Sequence, residues 1–239
     1  MEVVKVNGPA WLGIGAQRCG TTWFTDVLLQ HPEMHLNRFE QKELHLFDQD
    51  LRAGAPARDR LDVIFDQPNS GEFTPAYLRC PWVPRRLTEL SVKPLLIVLL
   101  RNPVDRFESA MRLYLGQGPE DHSRDSWLRD KAVDSLWGGK YADHLRCWEN
   151  SFSRNQFLVF QYEAIAEDPS KAAKCVWRGL GLDDSFEPAP LGPSRTTSIA
   201  STYALDESLR YELSALYRSD LEYLSSWGIE TARWEAEWS

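Results

Sequence analysis

Two short stretches of the chain hold residues that could grip an anion. The first reads Gly15-Ala16-Gln17-Arg18-Cys19-Gly20-Thr21-Thr22. Glycines at its ends permit tight turning, so successive backbone N–H groups can converge on one anion. Arg18 adds a full charge, Thr21 and Thr22 add hydroxyl donors, and a helix beginning near Gly20 would point its first N–H groups at the same spot. That chemistry is phosphate binding; a glycine-bounded turn with no ligand is the plain alternative. The second stretch is Arg101-Asn102-Pro103, with Ser109 two helical turns further on. An arginine can hold a phosphate through two parallel hydrogen bonds, and a serine hydroxyl can complete the shell. Taken alone, this second pattern is common.

The order of residues in the first loop bears on which phosphate chemistry is meant. A Walker A loop ends in Gly-Lys-Ser/Thr, its lysine reaching the β- and γ-phosphates and its hydroxyl holding Mg²⁺. Here Thr21 follows Gly20 directly, and the cation stands earlier, at Arg18. Arg101 also stands where a P-loop enzyme would often offer a metal-binding aspartate. Both departures count against a metal-dependent NTPase or kinase, which remains the rival enzyme class. A non-catalytic nucleotide-binding protein is the rival from outside enzymology.

The elements that must position these residues are legible in the hydrophobic pattern. Ala10 to Gly15 is a short apolar run ending in glycine, and Trp23, Phe24, Val27 and Leu28 recur at helical spacing until His31-Pro32. Leu95 to Leu100 is an unbroken apolar run, as expected of a strand buried on both faces of a parallel sheet. Pro103 suits the first turn of a helix running to about Leu115. Phe157 to Phe160 reads as a third core strand, with helical patterns over roughly 139–152, 169–180 and 206–225. Strands alternating with helices predict an α/β fold, a P-loop-like central parallel sheet flanked by helices, as a single domain over residues 1–239. Ligands of such sheets bind beyond the carboxyl ends of the strands, which singles out the corners at 15–22 and 101–109. The polar stretch from about Gly116 to Asp134 reads either as a loop over the site or as an ordinary surface excursion.

Bulk properties narrow the classes further. The chain has 239 residues, 43% hydrophobic and 26% charged, enough to bury a full core. Its net charge of −8 argues against a nucleic-acid partner, yet it leaves room for a few cations in one cleft. No apolar run is long enough to span a bilayer, and the first residues lack a signal-peptide core. Cys19, Cys80, Cys147 and Cys175 are widely spread with no CxxC pair, so they read as reduced thiols of a cytoplasmic protein. The five histidines are scattered, and no metal site is expected. The ten tryptophans read as core packing with a few surface anchors rather than a carbohydrate platform.

Together the two corners resemble the PAPS-dependent sulfotransferase superfamily. Its 5′-phosphosulfate loop is similar to Gly15 through Trp23, and its 3′-phosphate element to Leu99-Leu100-Arg101-Asn102-Pro103-Val104-Asp105-Arg106 followed by Ser109. Lys42-Glu43-Leu44-His45-Leu46-Phe47-Asp48 and Gly71-Glu72-Phe73-Thr74-Pro75-Ala76-Tyr77 resemble the branch containing heparan-sulfate sulfotransferases, here as a bacterial-type soluble member. Tyr162-Glu163 with Asp168-Pro169 resembles the segment that supplies an adenine contact. The resemblance assigns Arg18, Cys19, Gly20, Thr21, Thr22 and Trp23 to the phosphosulfate and adenosine, Arg101 and Ser109 to the 3′-phosphate, and Tyr162 to the adenine. Members often carry a basic loop with a glycine near the C-terminus; Arg195, in Ser194-Arg195-Thr196-Thr197, is the nearest candidate and lacks that glycine.

The implied reaction moves a sulfuryl group from PAPS to a hydroxyl or amine, leaving 3′,5′-ADP, with no metal. The resemblance makes Glu43 the general base and Arg18, in place of the usual loop lysine, the group that stabilises the leaving bisphosphate. Were Lys42 to His45 a strand, Glu43 and His45 would share a face and Lys42 would point away. His45 is then an alternative base or a partner tuning Glu43, whereas Lys42 reaches the donor only if the segment is irregular. Phe73 stands where the heparan-sulfate enzymes often carry a lysine, and with the negative net charge this favours a small-molecule, lipid or neutral carbohydrate acceptor over a long polyanion. Oligomeric state is not legible.

Overall fold

The computed structural model describes residues 8–49, 58–192 and 202–238. Five strands form one parallel sheet: β1 (Trp11–Gly15), β2 (His35–Leu36), β3 (Ser70–Phe73), β4 (Leu95–Leu100) and β5 (Phe157–Gln161), in the spatial order β2-β3-β1-β4-β5. The helices are α1 (Thr21–Leu28), α2 (Arg58–Ile64), α3 (Val83–Glu89), α4 (Pro103–Leu115), α5 (Arg124–Gly138), α6 (Tyr141–Glu149), α7 (Tyr162–Glu167), α8 (Pro169–Gly179), α9 (Glu207–Tyr217), α10 (Leu221–Ser225) and α11 (Thr231–Glu237). The expected parallel sheet flanked by helices is what the chain forms.

β1 and β4 are neighbours, pairing Trp11 with Leu95 and Gly13 with Ile97. Every residue of β1 and the last five of β4 are buried, as an apolar run covered on both faces requires. Because the two strands run parallel side by side, the loop after β1 and the loop after β4 emerge at the same edge of the sheet. That alignment places the two anion-gripping stretches together. Trp11, Trp148, Trp177 and Trp234 are wholly buried, so tryptophan chiefly builds the core here.

Two expectations need correction, and one open alternative is decided. Residues 124–138 form helix α5, not part of a polar loop. Ser135 is its one fully buried residue, and the others are exposed or half-buried. Its start is held by Arg124, whose guanidinium donates to the carbonyls of Leu115 (2.8 Å) and Pro119 (3.2 Å). The long helix pattern over 206–225 is interrupted by a 3₁₀ turn at Arg218–Asp220, where Asp220 turns inward to accept from Lys140 Nζ and from the amide of Ala142. Lys42 to His45 is not a strand: Glu43 and His45 have φ of 61° and 52°, in the left-handed region no strand allows. Strands β2 and β3 carry too few apolar residues to have announced themselves.

Gly13 marks the tightest packing in the sheet. A Cβ there would lie 2.1 Å from Cγ of Phe73, a ring buried on the adjacent strand with no room to withdraw. Gly13→Ala should therefore lower unfolding stability by at least about 2 kcal/mol through overpacking, read as a lower urea midpoint at unchanged slope.

Candidate functional site

The loop after β1 turns sharply through Arg18 (φ 66°) and Gly20 (φ 77°), and Gly20 is the N-cap of α1. Glycine is required at position 20 twice over. Its φ is positive, and a Cβ would come within 2.8 Å of the Tyr162 ring. α1 has no acidic residue in its first turn to neutralise its N-terminus, and Thr21 is buried there while Thr22 is exposed. The start of α1, uncapped by any side chain, therefore lies beside the ring of Tyr162.

The second corner joins the first. Arg18 Nε donates to Ser109 Oγ at 3.2 Å, so residues 91 positions apart meet. The Arg101 guanidinium lies over the Tyr162 ring, 4.9 Å from its centroid, and Trp23 stands edge-on to the same ring at 6.4 Å. Trp23 Nε1 in turn donates to the carbonyl of Leu191 at 2.6 Å. Arg18, Gly20, Trp23, Arg101, Ser109 and Tyr162 therefore form one cluster, as their assignment to a single nucleotide demands.

Charge in this cluster is one-sided. None of the ion pairs among the described residues uses Arg18, Arg101 or Arg106. Burial depresses the Arg18 guanidinium below its ordinary range, and the charge of Arg101 depresses it further. Cations crowded without a counter-ion are what an anion relieves. Cys19 contributes shape rather than reactivity: it is wholly buried, and burial pushes its thiol up to about 11.

The segment 42–48 approaches from the β3 side. Lys42 Nζ lies 3.4 Å from Thr21 Oγ1, 3.3 Å from Thr22 Oγ1 and 2.7 Å from Glu43 Oε1. The irregular backbone thus lets Lys42 reach the phosphate loop, the outcome a strand would have prevented. Glu43 Oε2 is 4.0 Å from His45 Nε2, and His45 Nδ1 is 2.7 Å from Asp48 Oδ2. Glu43, His45 and Asp48 form a line of titratable groups beginning beside Lys42. Arg195 falls outside the described residues.

Against this geometry the comparisons with known proteins are decisive. The family model described as "Sulfotransferase domain" matches residues 10–202. The chain belongs to the sulfotransferase family. It is 30% identical over 183 residues to heparan sulfate glucosamine 3-O-sulfotransferase 3A1 of Mus musculus, covering 73% of this chain and 46% of that protein. It is 32% identical over 182 residues to heparan sulfate glucosamine 3-O-sulfotransferase 6 of Homo sapiens, covering 73% and 52%. The chain spans about half the length of these curated relatives. Among solved structures, a sulfotransferase from Alicyclobacillus acidocaldarius superposes with a TM-score of 0.76 at 24% identity, covering 96% of this chain and all of that one. Mouse sulfotransferase SULT7A1, solved in complex with PAP, gives 0.52 at 16% identity over 98% and 90%. Both likenesses are of fold.

The cluster is joined by residues that motif reading does not single out. Asp48, the last residue of the 42–48 stretch, holds His45. Tyr141, wholly buried, lies between the corners: its hydroxyl donates to the carbonyl of Arg101 at 3.0 Å and is 3.7 Å from Cys19 Sγ. Asn102 is saturated from three sides. Its amide donates to Glu237 at 2.6 Å, its oxygen accepts from Trp238 Nε1 at 3.1 Å, and its backbone N–H donates to Glu163 at 3.0 Å. The segment from α11 to Trp238 that braces Asn102 lies beyond the matched family segment. No spacing in the sequence could have signalled these three, because each acts through contacts formed only in the fold. Among the described residues no helix is long and apolar enough to cross a membrane, and no three His, Cys, Asp or Glu side chains group as metal ligands.

His144 sits behind the loop in a pocket bounded by Gln17, Pro75, Arg79, Arg106 and Asp134. Its Nε2–H donates to the carbonyl of Trp137 at 2.9 Å, and burial holds the imidazole down at about 4. The ordinary value in an unfolded chain is about 6.5, so between these values the unfolded state binds the extra proton. Stability from this group is complete above about pH 6.5 and declines as pH falls towards 4, by at most about 3 kcal/mol. His144→Gln should flatten that part of the stability–pH curve, measured by denaturant unfolding at pH 7 and pH 4.5.

Proposed function

We propose that this sulfotransferase moves a sulfuryl group from PAPS to a hydroxyl or amine of a small-molecule, lipid or carbohydrate acceptor, releasing 3′,5′-ADP. One observation carries the reading. Two cationic corners at the ends of adjacent parallel strands, whose Arg18 and Arg101 enter no ion pair among the described residues, converge on the aromatic ring of Tyr162. A doubly phosphorylated adenosine is a ligand with two anionic ends and a stackable base, and the cluster offers a partner for each.

In this reading the loop is P-loop-like, its N–H groups together with Arg18 and Lys42 facing the 5′-phosphosulfate. Arg101 and Ser109 take the 3′-phosphate, Tyr162 and Trp23 take the adenine, and Arg195 is assigned to the same nucleotide. As the bond from sulfur to the bridging oxygen breaks, charge grows on the leaving phosphate. Arg18 is then a fixed cation at the place where that charge appears, and a guanidinium serves by charge rather than by giving up a proton. Lys42, within reach of Thr21 and Thr22, adds a second cation.

The acceptor must lose a proton as its oxygen or nitrogen attacks sulfur. Glu43 is the base: it is half-exposed beside the loop and within 4.0 Å of His45. His45, held by Asp48, orients Glu43 or takes the proton in its place. The acceptor is neutral or weakly charged. Support comes from Phe73, buried beneath Lys42 with Nζ 5.7 Å from its ring centroid, and from the net charge of −8, which repels a polyanion.

Two substitutions test the assignments. Arg101→Ala should weaken 3′,5′-ADP by on the order of 10-fold or more while leaving 5′-AMP within about 2-fold, measured by calorimetry. Equal losses would refute the 3′-phosphate assignment. Glu43→Gln should keep 3′,5′-ADP affinity and slow sulfuryl transfer by on the order of 10²-fold, as loss of a general base does. Undiminished turnover would hand the role to His45.

A further inference from the structure

The segment carrying Glu43 and His45 has no strand or helix to hold it, yet four consecutive amides in it are satisfied from one side. Glu43 N–H donates to the Phe73 carbonyl at 3.2 Å. Leu44 N–H donates to Glu72 Oε2 at 3.1 Å, His45 N–H to Thr74 Oγ1 at 3.4 Å, and Leu46 N–H to the Tyr77 hydroxyl oxygen at 2.8 Å. Three of the four acceptors are side chains of β3 and the turn after it. The left-handed backbone at Glu43 and His45, with Leu44 between them, directs these N–H groups inward, a concavity suited to an anion.

Glu72 supplies the carboxyl group that fills this concavity and contacts the other two acceptors as well; burial pushes that carboxyl up from its ordinary range, and the hydrogen bonds from Thr74, Tyr77 and the Leu44 amide oppose the rise. Its side chain is wholly buried. Thr74 Oγ1 donates to Glu72 Oε2 at 2.5 Å, and the Tyr77 hydroxyl donates to Glu72 Oε1. A hydroxyl has one proton to give. With that proton committed to the carboxylate, the oxygens of Thr74 and Tyr77 can only accept, and what they accept is the N–H of His45 and of Leu46. One buried carboxylate therefore anchors all three side-chain oxygens that receive the amides of residues 44–46, taking the Leu44 amide itself and holding the hydroxyls of Thr74 and Tyr77.

We propose that Glu72 is a positioning residue of the reaction: through Thr74, Tyr77 and the Leu44 amide it holds residues 43–46 in the conformation that presents Glu43 and His45. The proposal rests on the reading of Glu43 as base. Glu72 itself touches no reacting atom. Its replacement by glutamine preserves shape but brings an NH₂ group that must donate, so at least one hydroxyl has to turn its proton away from Glu72 and towards a loop amide it now opposes.

The test uses the full chain and two readouts. In hydrogen exchange, Glu72→Gln should speed the amides of Leu44, His45 and Leu46 by about 10-fold or more while those of 96–100 stay protected. In turnover, with PAPS as donor, 2-naphthol or octyl glucoside as acceptor probe and 3′,5′-ADP release as signal, Glu72→Gln should lower kcat about 10- to 100-fold. The KM for PAPS and the affinity for 3′,5′-ADP should stay within about 2-fold. Placed on Glu43→Gln, it should add nothing, because a group acting through Glu43 has no further effect once Glu43 is gone. Unchanged exchange at 44–46, or a double variant whose loss is the product of the two single losses, overturns the proposal. If neither probe accepts sulfate, the exchange result decides. Glu43→Gln alone reports on the base: should it turn over normally, that assignment falls and the same cycle is run with His45→Gln. Where Glu72→Gln does not fold, Tyr77→Phe replaces it, with exchange loosened at Leu46 expected and no loosening overturning the idea.

Discussion

Positive charge at Arg18 and Arg101 that no ion pair among the described residues answers is the constraint around which this molecule is arranged. Arg18 is largely buried and Arg101 lies over Tyr162, and burial together with mutual repulsion makes this cluster unfavourable in isolation. A fold keeps such groups together only if the rest of its structure is firm enough to oppose their separation. The parallel pairing of β1 with β4 provides that firmness, since both strands are sunk in the core and their ends cannot drift apart independently. The capping of α4 by Asn102, and the bracing of Asn102 by Glu163, Glu237 and Trp238, hold the second corner from behind.

The two sides of the site are built by different means. On the side proposed to hold the nucleotide, regular elements place the residues: strand ends, helix starts and one aromatic ring. On the side proposed to meet the acceptor, residues 42–48 have no regular hydrogen-bonding pattern, and side chains substitute for the missing strand partner. The first arrangement suits a task shared by many catalysts, holding a common donor. The second leaves the backbone free to differ where acceptors differ, provided the buried carboxylate beneath it is kept.

Much of the nucleotide side was legible beforehand because its signals are local. An apolar run, a glycine-rich turn and a proline at a helix start each carry their meaning within a few residues, and β1, β4, α1 and α4 lie where those signals placed them. The acceptor side was less legible. Whether Lys42 to His45 would be extended depended on Glu72, some thirty positions away, and no periodicity reports such a contact. β3 went unrecognised because Ser70-Gly71-Glu72-Phe73 owes its burial to neighbours rather than to its own composition. Helix α5 was hidden because its apolar residues, Trp127, Leu128, Ala132, Val133, Leu136 and Trp137, are spread around the helix instead of lining one buried stripe. Sequence alone could name Glu43, His45 and Lys42 and state the condition on which their placement turned; the left-handed residues decided it.

Tyr141 constrains how this chain can change over generations. One phenol spans the thiol of Cys19 and the carbonyl of Arg101, so its ring length sets a gauge between two segments more than eighty positions apart. A bulkier or slimmer side chain at 19 alters the fit at 141, and a shift at 141 moves the main chain from which Arg101 projects. Positions 19 and 141 are therefore not free to vary one at a time, and drift at either must be answered at the other.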